Sequence, residues 1–287
     1  MATYYIATTG DDSTGDGSST TPWLTLAHAY DESSADDTIS CGAGTFDWVS
    51  DTIISRTIEG ASLDDGTPTT IFDGGGVNVL WSYNGSLSIS KIMFQNGIRS
   101  GFYCNFQPTT STDNTTTIFD NCVFKDITVY AGNDQTGVIR VHRGDNTVFT
   151  MTNCLFYSIT HLGTSNSIVL YARSSPGSGA SKTLNIYNNT IHLDDGVAGH
   201  IIDGLFTTNS TMNIKNNIIS NETGYTIDLV ASGNGYTYNM DNNCLYNISD
   251  LPAGDDNITT DPLFVDPSAG IFELQLDSPC ISSGTLI

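Results

Sequence analysis

Leu184-Asn-Ile-Tyr-Asn188-Asn-Thr-Ile191 is the stretch on which the fold turns. Apolar and polar residues alternate up to the asparagine pair, and a second short apolar run comes after it. Period-two alternation is the signature of a half-buried strand. Asparagine tolerates the left-handed backbone region and bonds its own chain, so the pair reads as a tight bend between two strands. The same phrase recurs at Thr117-Ile-Phe-Asp-Asn121-Cys-Val-Phe124, Phe149-Thr-Met-Thr-Asn153-Cys-Leu-Phe156, Met212-Asn-Ile-Lys-Asn216-Asn-Ile-Ile219 and Tyr238-Asn-Met-Asp-Asn242-Asn-Cys-Leu245. An earlier copy, Leu87-Ser-Ile-Ser-Lys91-Ile-Met-Phe94, carries lysine at the bend.

From Lys91 the bends are spaced by 30, 32, 35, 28 and 26 residues. Repeats of this length indicate a solenoid, in which each coil pairs only with its neighbours. Stacked in register, the asparagines would form an amide ladder. A third run lies between the repeats: Gly101–Phe106, Gly137–His142, Ser167–Arg173, Gly199–Leu205 and Tyr225–Val230. Each coil is thus expected to carry three strands. The expectation is an all-β fold, a parallel β-helix of roughly eight to nine coils and a rod on the order of 40 Å long at the inter-strand spacing.

The organisation expected is one domain over 1–287. Residues 1–56 form the N-terminal cap and first strands, 57–250 the repeat coils and 251–287 the closing segment. Thr21-Pro22-Trp-Leu-Thr-Leu-Ala-His-Ala-Tyr30 reads as a short capping helix, with Thr21 as N-cap, Pro22 in the first helical position, and Trp23, Leu26, Ala27 and Tyr30 on one face. Asp261–Pro267 reads as a closing loop and Leu274–Gly284 as a final strand. Asp12-Ser-Thr-Gly-Asp16-Gly17 has half the pattern of a calcium loop, but Trp23 stands at the acidic twelfth position, so it reads as a turn. The six cysteines contain no C-x-x-C pair and sit mostly in apolar alternation, which reads as core; stacked neighbours such as Cys122 and Cys154 could still cross-link under oxidising conditions.

The opening Tyr4-Tyr-Ile-Ala-Thr-Thr-Gly-Asp-Asp-Ser13, the Pro22-Trp-Leu-Thr-Leu segment and Asp37-Thr-Ile-Ser-Cys-Gly-Ala-Gly-Thr45 together resemble the start of right-handed parallel β-helix proteins of the pectin-lyase-like superfamily. Thr57-Ile-Glu-Gly-Ala-Ser62 and Thr70-Ile-Phe-Asp-Gly-Gly-Gly76 resemble its first coils. Asp261-Pro-Leu-Phe-Val-Asp266 and Asp277-Ser-Pro-Cys-Ile281 resemble its closing segment. The resemblance spans nearly the whole chain and is specific for fold; that fold hosts lyases, hydrolases, tailspikes and adhesins. It implies that the third set of strands floors a substrate groove.

Alternation then selects the residues that face outward on that floor: Tyr103 and Asn105, Arg140 and His142, Tyr171 and Arg173, Asp203, and Asp228. Arg140, Arg143, Arg173 and Lys182 are four of only nine cations in the chain. In a polysaccharide lyase, a base removes the proton α to a uronate carboxylate whose charge must be neutralised. Arg140, His142, Arg173, Asp203 and Asp228 are the catalytic candidates. Tyr103, Asn105, Arg143, His161 and Tyr171 are the substrate-binding ones. Asp194 and Asp195 would rim the groove as Ca²⁺ ligands. A glycoside hydrolase would instead use Asp203 and Asp228 as a carboxylate pair near the retaining distance. A non-catalytic glycan-binding adhesin or tailspike-like module is the alternative outside enzymology, where Arg and Asp on neighbouring coils make only a surface ion-pair ladder. The pectate-lyase Trp-Ile-Asp-His segment and the companion motifs of polygalacturonases are absent.

Composition bounds the partners. With 31 acidic against 9 basic residues the formal charge is −22, which argues against nucleic acid and against an anionic membrane surface. No apolar run is long enough to span a bilayer. The N-terminus has no basic, apolar signal pattern. The setting expected is extracellular or virion-associated, the partner a polysaccharide, and a virion-associated form would assemble as a homotrimer. A charge of −22 repels a polyuronate, so the lyase reading requires the local cationic patch, with Ca²⁺ bridging as its complement.

Overall fold

The structure, a computed structural model, describes the chain except for residues 48–50, 79–80, 99–114, 131–136, 143–146, 163–166, 174–180, 195–198, 206–209, 223–226, 231–236 and 250–253. The described residues form a parallel β-solenoid with three faces. The first face stacks nine strands: Thr3–Ile6, Thr38–Cys41, Asp51–Glu59, Trp81–Ser90, Thr116–Asp120, Thr147–Thr152, Lys182–Tyr187, Thr211–Lys215 and Thr237–Asp241. The second stacks eight: Gly44–Asp47, Thr70–Asn78, Ile92–Ile98, Val123–Tyr130, Leu155–Leu162, Thr190–Leu193, Ile218–Asn221 and Cys244–Tyr246. The third has four: Ile139–His142, Ser167–Arg173, Gly199–Leu205 and Ile227–Val230. Every pairing within these faces is parallel. Among the described residues about four coils therefore carry a strand on all three faces, fewer than the eight or nine expected. The third-face candidate Gly101–Phe106 lies outside the described residues.

Two residues make each bend, with separate tasks. The first takes the left-handed conformation: Lys91, Asn121, Asn153, Asn188, Asn216 and Asn242 have φ between 50° and 58°. Asparagine suits this region better than a bulky side chain does. The second residue turns inward and joins a ladder along the rod. Asn189, Asn217, Asn243 and Asn257 each donate Nδ2–H to the carbonyl three residues before the equivalent position one coil back: Met151, Ile186, Ile214 and Met240, at 2.8–3.0 Å. Each Oδ1 accepts from the backbone N–H of the preceding coil, Cys154, Asn189, Asn217 and Asn243, at 2.9–3.0 Å. Cys122 and Cys154 hold the same position in earlier coils; their Sγ atoms lie 3.7 Å from Ile89 O and Phe119 O one coil back, and 3.4 and 3.2 Å from Asp120 O and Thr152 O in their own bends. The cysteines are thus weak-donor rungs of the ladder as well as core residues. Cys41, Cys122, Cys154 and Cys244 are buried and free, and Cys280 is half-buried and free. Burial pushes the Cys154 thiol well above its ordinary range.

The core is built from columns of equivalent residues. On the first face, register aligns Ile39, Ile58, Ile89, Phe119, Met151, Ile186, Ile214 and Met240, all within 1% of full burial. On the second face Phe46, Phe72, Phe94, Phe124 and Phe156 stack ring on ring, with centroids 5.5, 5.9, 5.3 and 4.5 Å apart. Each buried Phe contributes about 1.5–3 kcal/mol, and each stacked pair about 0.5–1.5 kcal/mol beyond that.

The ends differ from expectation in detail. The helix spans Leu26–Glu32 with Thr25 as N-cap, its Oγ1 accepting from His28 N, so it begins later than Pro22. Two contacts displace it. Trp23 is held as a β-bridge to Ile6, through Trp23 N to Tyr5 O and Ala7 N to Trp23 O. Asp12 accepts from Leu24 N, Thr25 N and Thr25 Oγ1, fixing the chain in an extended form until that point. First-face pairing already begins at Thr3–Ile6, so the coils start inside the segment read as the cap. At the other end, Phe264–Asp266 and Ile271–Leu274 form an antiparallel hairpin around a 3₁₀ turn, Pro267–Ala269. The final strand ends at Leu274, and residues 275–284 form turns rather than strand.

Candidate functional site

Register brings part of the nominated row together. On the third face Arg140 pairs with Tyr171, and Tyr171 with Asp203; His142 pairs with Arg173. These positions alternate along the strands with Ile139, Leu170, Ala172 and Ile202, all fully buried. Arg140, Tyr171 and Asp203 therefore make one row across three coils, spaced by roughly 4.8 Å per step, with His142 and Arg173 in the row beside it. A register shift between Ser167 and Leu170 admits an extra residue, which is why Ile168, Val169 and Leu170 are buried in succession.

Other nominated residues do not join it. Asp228 pairs with His200, three residues before Asp203, which offsets the two aspartates by roughly 10 Å along the strand. His161 lies on the second face in Leu155–Leu162, opposite Val129, and is only 5% exposed, so it belongs to neither row. Lys182 opens a first-face strand and is 1% exposed, so it lies apart from the third-face row. Tyr103, Asn105, Arg143 and Asp195 lie outside the described residues. Asp194 is exposed beside the second face. Among the described residues no group of three or more His, Cys, Asp or Glu side chains is arranged to hold a metal ion. Nor, among them, is any helix long and apolar enough to cross a membrane.

The N-terminal acidic loop behaves as a turn. Asp11 Oδ1 accepts from Ser13 N, Ser13 Oγ and Thr14 N at 2.6–3.1 Å. Asp16 accepts from Ser18 N and Thr21 Oγ1. The hydroxyl of Ser13 and that of Thr21, reinforced by backbone N–H groups, hold both carboxyls down at about 2.

Sequence reading missed one region. The closing segment folds back over the end of the second face and leaves a cleft of about 300 Å³, lined by His192, Ser220, Glu222, Tyr246, Asp261 and Phe264 among others. His192 comes directly after Ile191 on its strand and faces away from the coil interior, yet it is covered by Phe264 and Phe272, whose ring centroids lie 6.0 and 5.4 Å away. Its Nδ1 meets Ser220 Oγ at 2.9 Å. Its Nε2 stands 3.5 Å from Glu222 Oε1 and 3.9 Å from Asp194 Oδ1. Burial lowers the imidazole pKa, against the pull of the Asp194 and Glu222 carboxylates. The sequence signal was slight: a histidine at an outward position of a bend strand, and an Asp-Pro-Leu-Phe segment some seventy residues later.

No protein-family model matches the sequence, and no curated protein matches it. Among solved structures the chain is similar to pectate lyase Pel9A, at 11% identity and a TM-score of 0.40, over 100% of this chain and 92% of that one. It is similar also to XylC in complex with xylose, at 10% identity and a TM-score of 0.34, over 90% of this chain and 67% of that one. Neither likeness carries a residue role across; the parallel β-helix rests on the strand register itself.

Proposed function

We propose that the protein binds a polysaccharide along its third face and cleaves it by β-elimination at a uronate unit. The observation that carries the reading is the aligned row Arg140–Tyr171–Asp203 with His142–Arg173 beside it. In this reading Arg140 and Arg173 neutralise the uronate carboxylate, which acidifies the α-proton. His142 takes that proton as general base. The bond to the glycosidic oxygen breaks, a carbon–carbon double bond forms, and the leaving oxygen takes the proton back from His142, so that the chain departs as an alcohol. Tyr171 gives a sugar ring an aromatic surface. The hydrolase reading has less support, because Asp228 is in register with His200 and not with Asp203.

The test is a panel of uronate and neutral polysaccharides, each with and without Ca²⁺, read by ultraviolet absorbance of the unsaturated product and by new reducing ends. Absorbance on a uronate polymer supports β-elimination. Reducing ends without absorbance indicate hydrolysis. Binding without either product makes the third face a non-catalytic glycan-binding surface, as in an adhesin or tailspike-like module. No binding to any polymer refutes the reading.

A further inference from the structure

The wall of the cleft beneath the closing segment holds a buried ring nitrogen that has two carboxylates nearby, Glu222 at 3.5 Å and Asp194 at 3.9 Å, but no hydrogen bond among the described residues. His192 is 4% exposed and its Nδ1 is engaged by Ser220. Its Nε2 makes no hydrogen bond among the described residues. A buried ring nitrogen left unsatisfied is costly, and native structures leave few such groups without a reason. The cavity beside it reaches the lower end of small-ligand pocket sizes.

The lining specifies the ligand. Glu222 and Asp261 present carboxyl oxygens to the cleft, and Asp194 stands 3.9 Å from the His192 nitrogen. Such a wall repels carboxylates and phosphates and asks for hydroxyl donors. Tyr246, Pro262 and Phe264 provide the apolar surface that the C–H face of a pyranose would cover. We infer that this cleft is a binding site for a single uncharged sugar unit, separate from the third face and opposite to it in charge preference. Hydroxyls of the sugar would donate to Glu222 and Asp261, and Glu222 lies 3.5 Å from His192 Nε2, so the ring senses the bound sugar through that carboxylate. The site is built from the second face and the closing segment, so its failure leaves the polymer test of the third face untouched.

The experiment is calorimetric titration of the full chain with methyl glycosides of glucose, galactose and xylose, with glucosamine, and with galacturonic acid. The expected result is binding of at least one neutral glycoside and none of galacturonic acid. Glu222→Gln and Tyr246→Ala should each weaken that binding by about tenfold or more, the scale of one lost charged hydrogen bond or ring contact. Both replace residues at the rim, so the fold should survive, and a thermal melt verifies it. The His192 ring nitrogen resonances should move on saturation with the sugar, a change that a purely structural histidine would not show. Binding of glucosamine alone would refute the inference, since the site would then be a cation trap. Equal binding of galacturonic acid, no binding at all, or variants that bind like the parent would overturn it too.

Discussion

Asn217→Ala tests the amide ladder where the structure defines it most fully. Asn217 is 1% exposed and bonds to the coils on both sides of its own. Its Oδ1 accepts from Asn189 N and Asn189 Nδ2, both at 2.9 Å. Its Nδ2 donates to Ile186 O at 2.8 Å, Lys215 O at 3.0 Å and Asn243 Oδ1 at 2.9 Å. Alanine leaves Asn189 N–H without its acceptor and Ile186 O without this donor, in a site closed to water. Asn189 Nδ2 keeps Met151 O and Asn243 Oδ1 keeps Asn217 N, so those two groups are not stranded. Two buried groups that lose a partner, at about 1–3 kcal/mol each, give an expected loss of about 2–6 kcal/mol. Asn216→Ala, one residue earlier, is the control. It loses exposed bonds to Asn188 Oδ1 and Thr285 and places alanine at φ 58°, which costs about 1–2 kcal/mol. Urea unfolding of both variants, monitored by circular dichroism, measures the difference. If Asn217→Ala costs no more than Asn216→Ala, the inward asparagines are not what holds the bends together.

Phe124→Ala removes the ring between Phe94 and Phe156 and should cost about 3–5 kcal/mol, checked by the same unfolding assay. Gly60→Ala should destabilise although its backbone conformation suits any residue, because a Cβ there would sit 2.1 Å from Lys91 O, a backbone atom; a melting temperature equal to the parent's would contradict this. The Asp11 and Asp16 carboxyls, held at about 2 by hydrogen bonds to Ser13 and Thr21, are depressed in the folded chain, so their contribution is complete above about pH 4 and lost as pH falls through 2; a carbon-13 titration with midpoints near 4 would refute it. His192 has its pKa lowered by burial, so the unfolded chain binds its proton more readily and stability should fall as pH drops below about 6.5, an effect that His192→Gln should abolish in melts across pH 5–8.

Much of the fold was legible because one local device repeats. A left-handed residue with an inward amide after it imposes a bend wherever it occurs, and the alternating residues on either side need no distant information to choose their face. Cys122 and Cys154 align with the second asparagine of the bend in the sequence itself, but their contacts with Ile89 O and Phe119 O one coil back show only when coils are stacked. The third face was harder to read. Its strands are bounded by segments of varied length, and the shift between Ser167 and Leu170 breaks simple alternation. His161 matched the charge pattern of the groove but belongs to the second face. The His192 cleft was invisible for a different reason, since its walls meet only after residues about 70 positions apart fold together at Phe264 and Phe272. The helix start was misplaced because Asp12 and Tyr5, both distant in sequence, hold Trp23 to Thr25 extended.

The third-face reading meets its most direct test in a comparison of two double variants with equal charge change. Arg140→Ala with Arg173→Ala removes two cations from the aligned row. Lys91→Ala with Lys215→Ala removes two from the bend and strand end of the first face, where they pair with Glu59 at 2.7 Å and Asp241 at 2.9 Å. Dissociation constants for a uronate polymer are measured for both at low and moderate salt. The third-face pair should weaken binding at least about tenfold, one charged contact at about 1.5–3 kcal/mol sufficing, while the first-face pair leaves it near the parent value. Equal losses in the two variants, or none in either, would contradict the assignment of the third face as the glycan-binding surface.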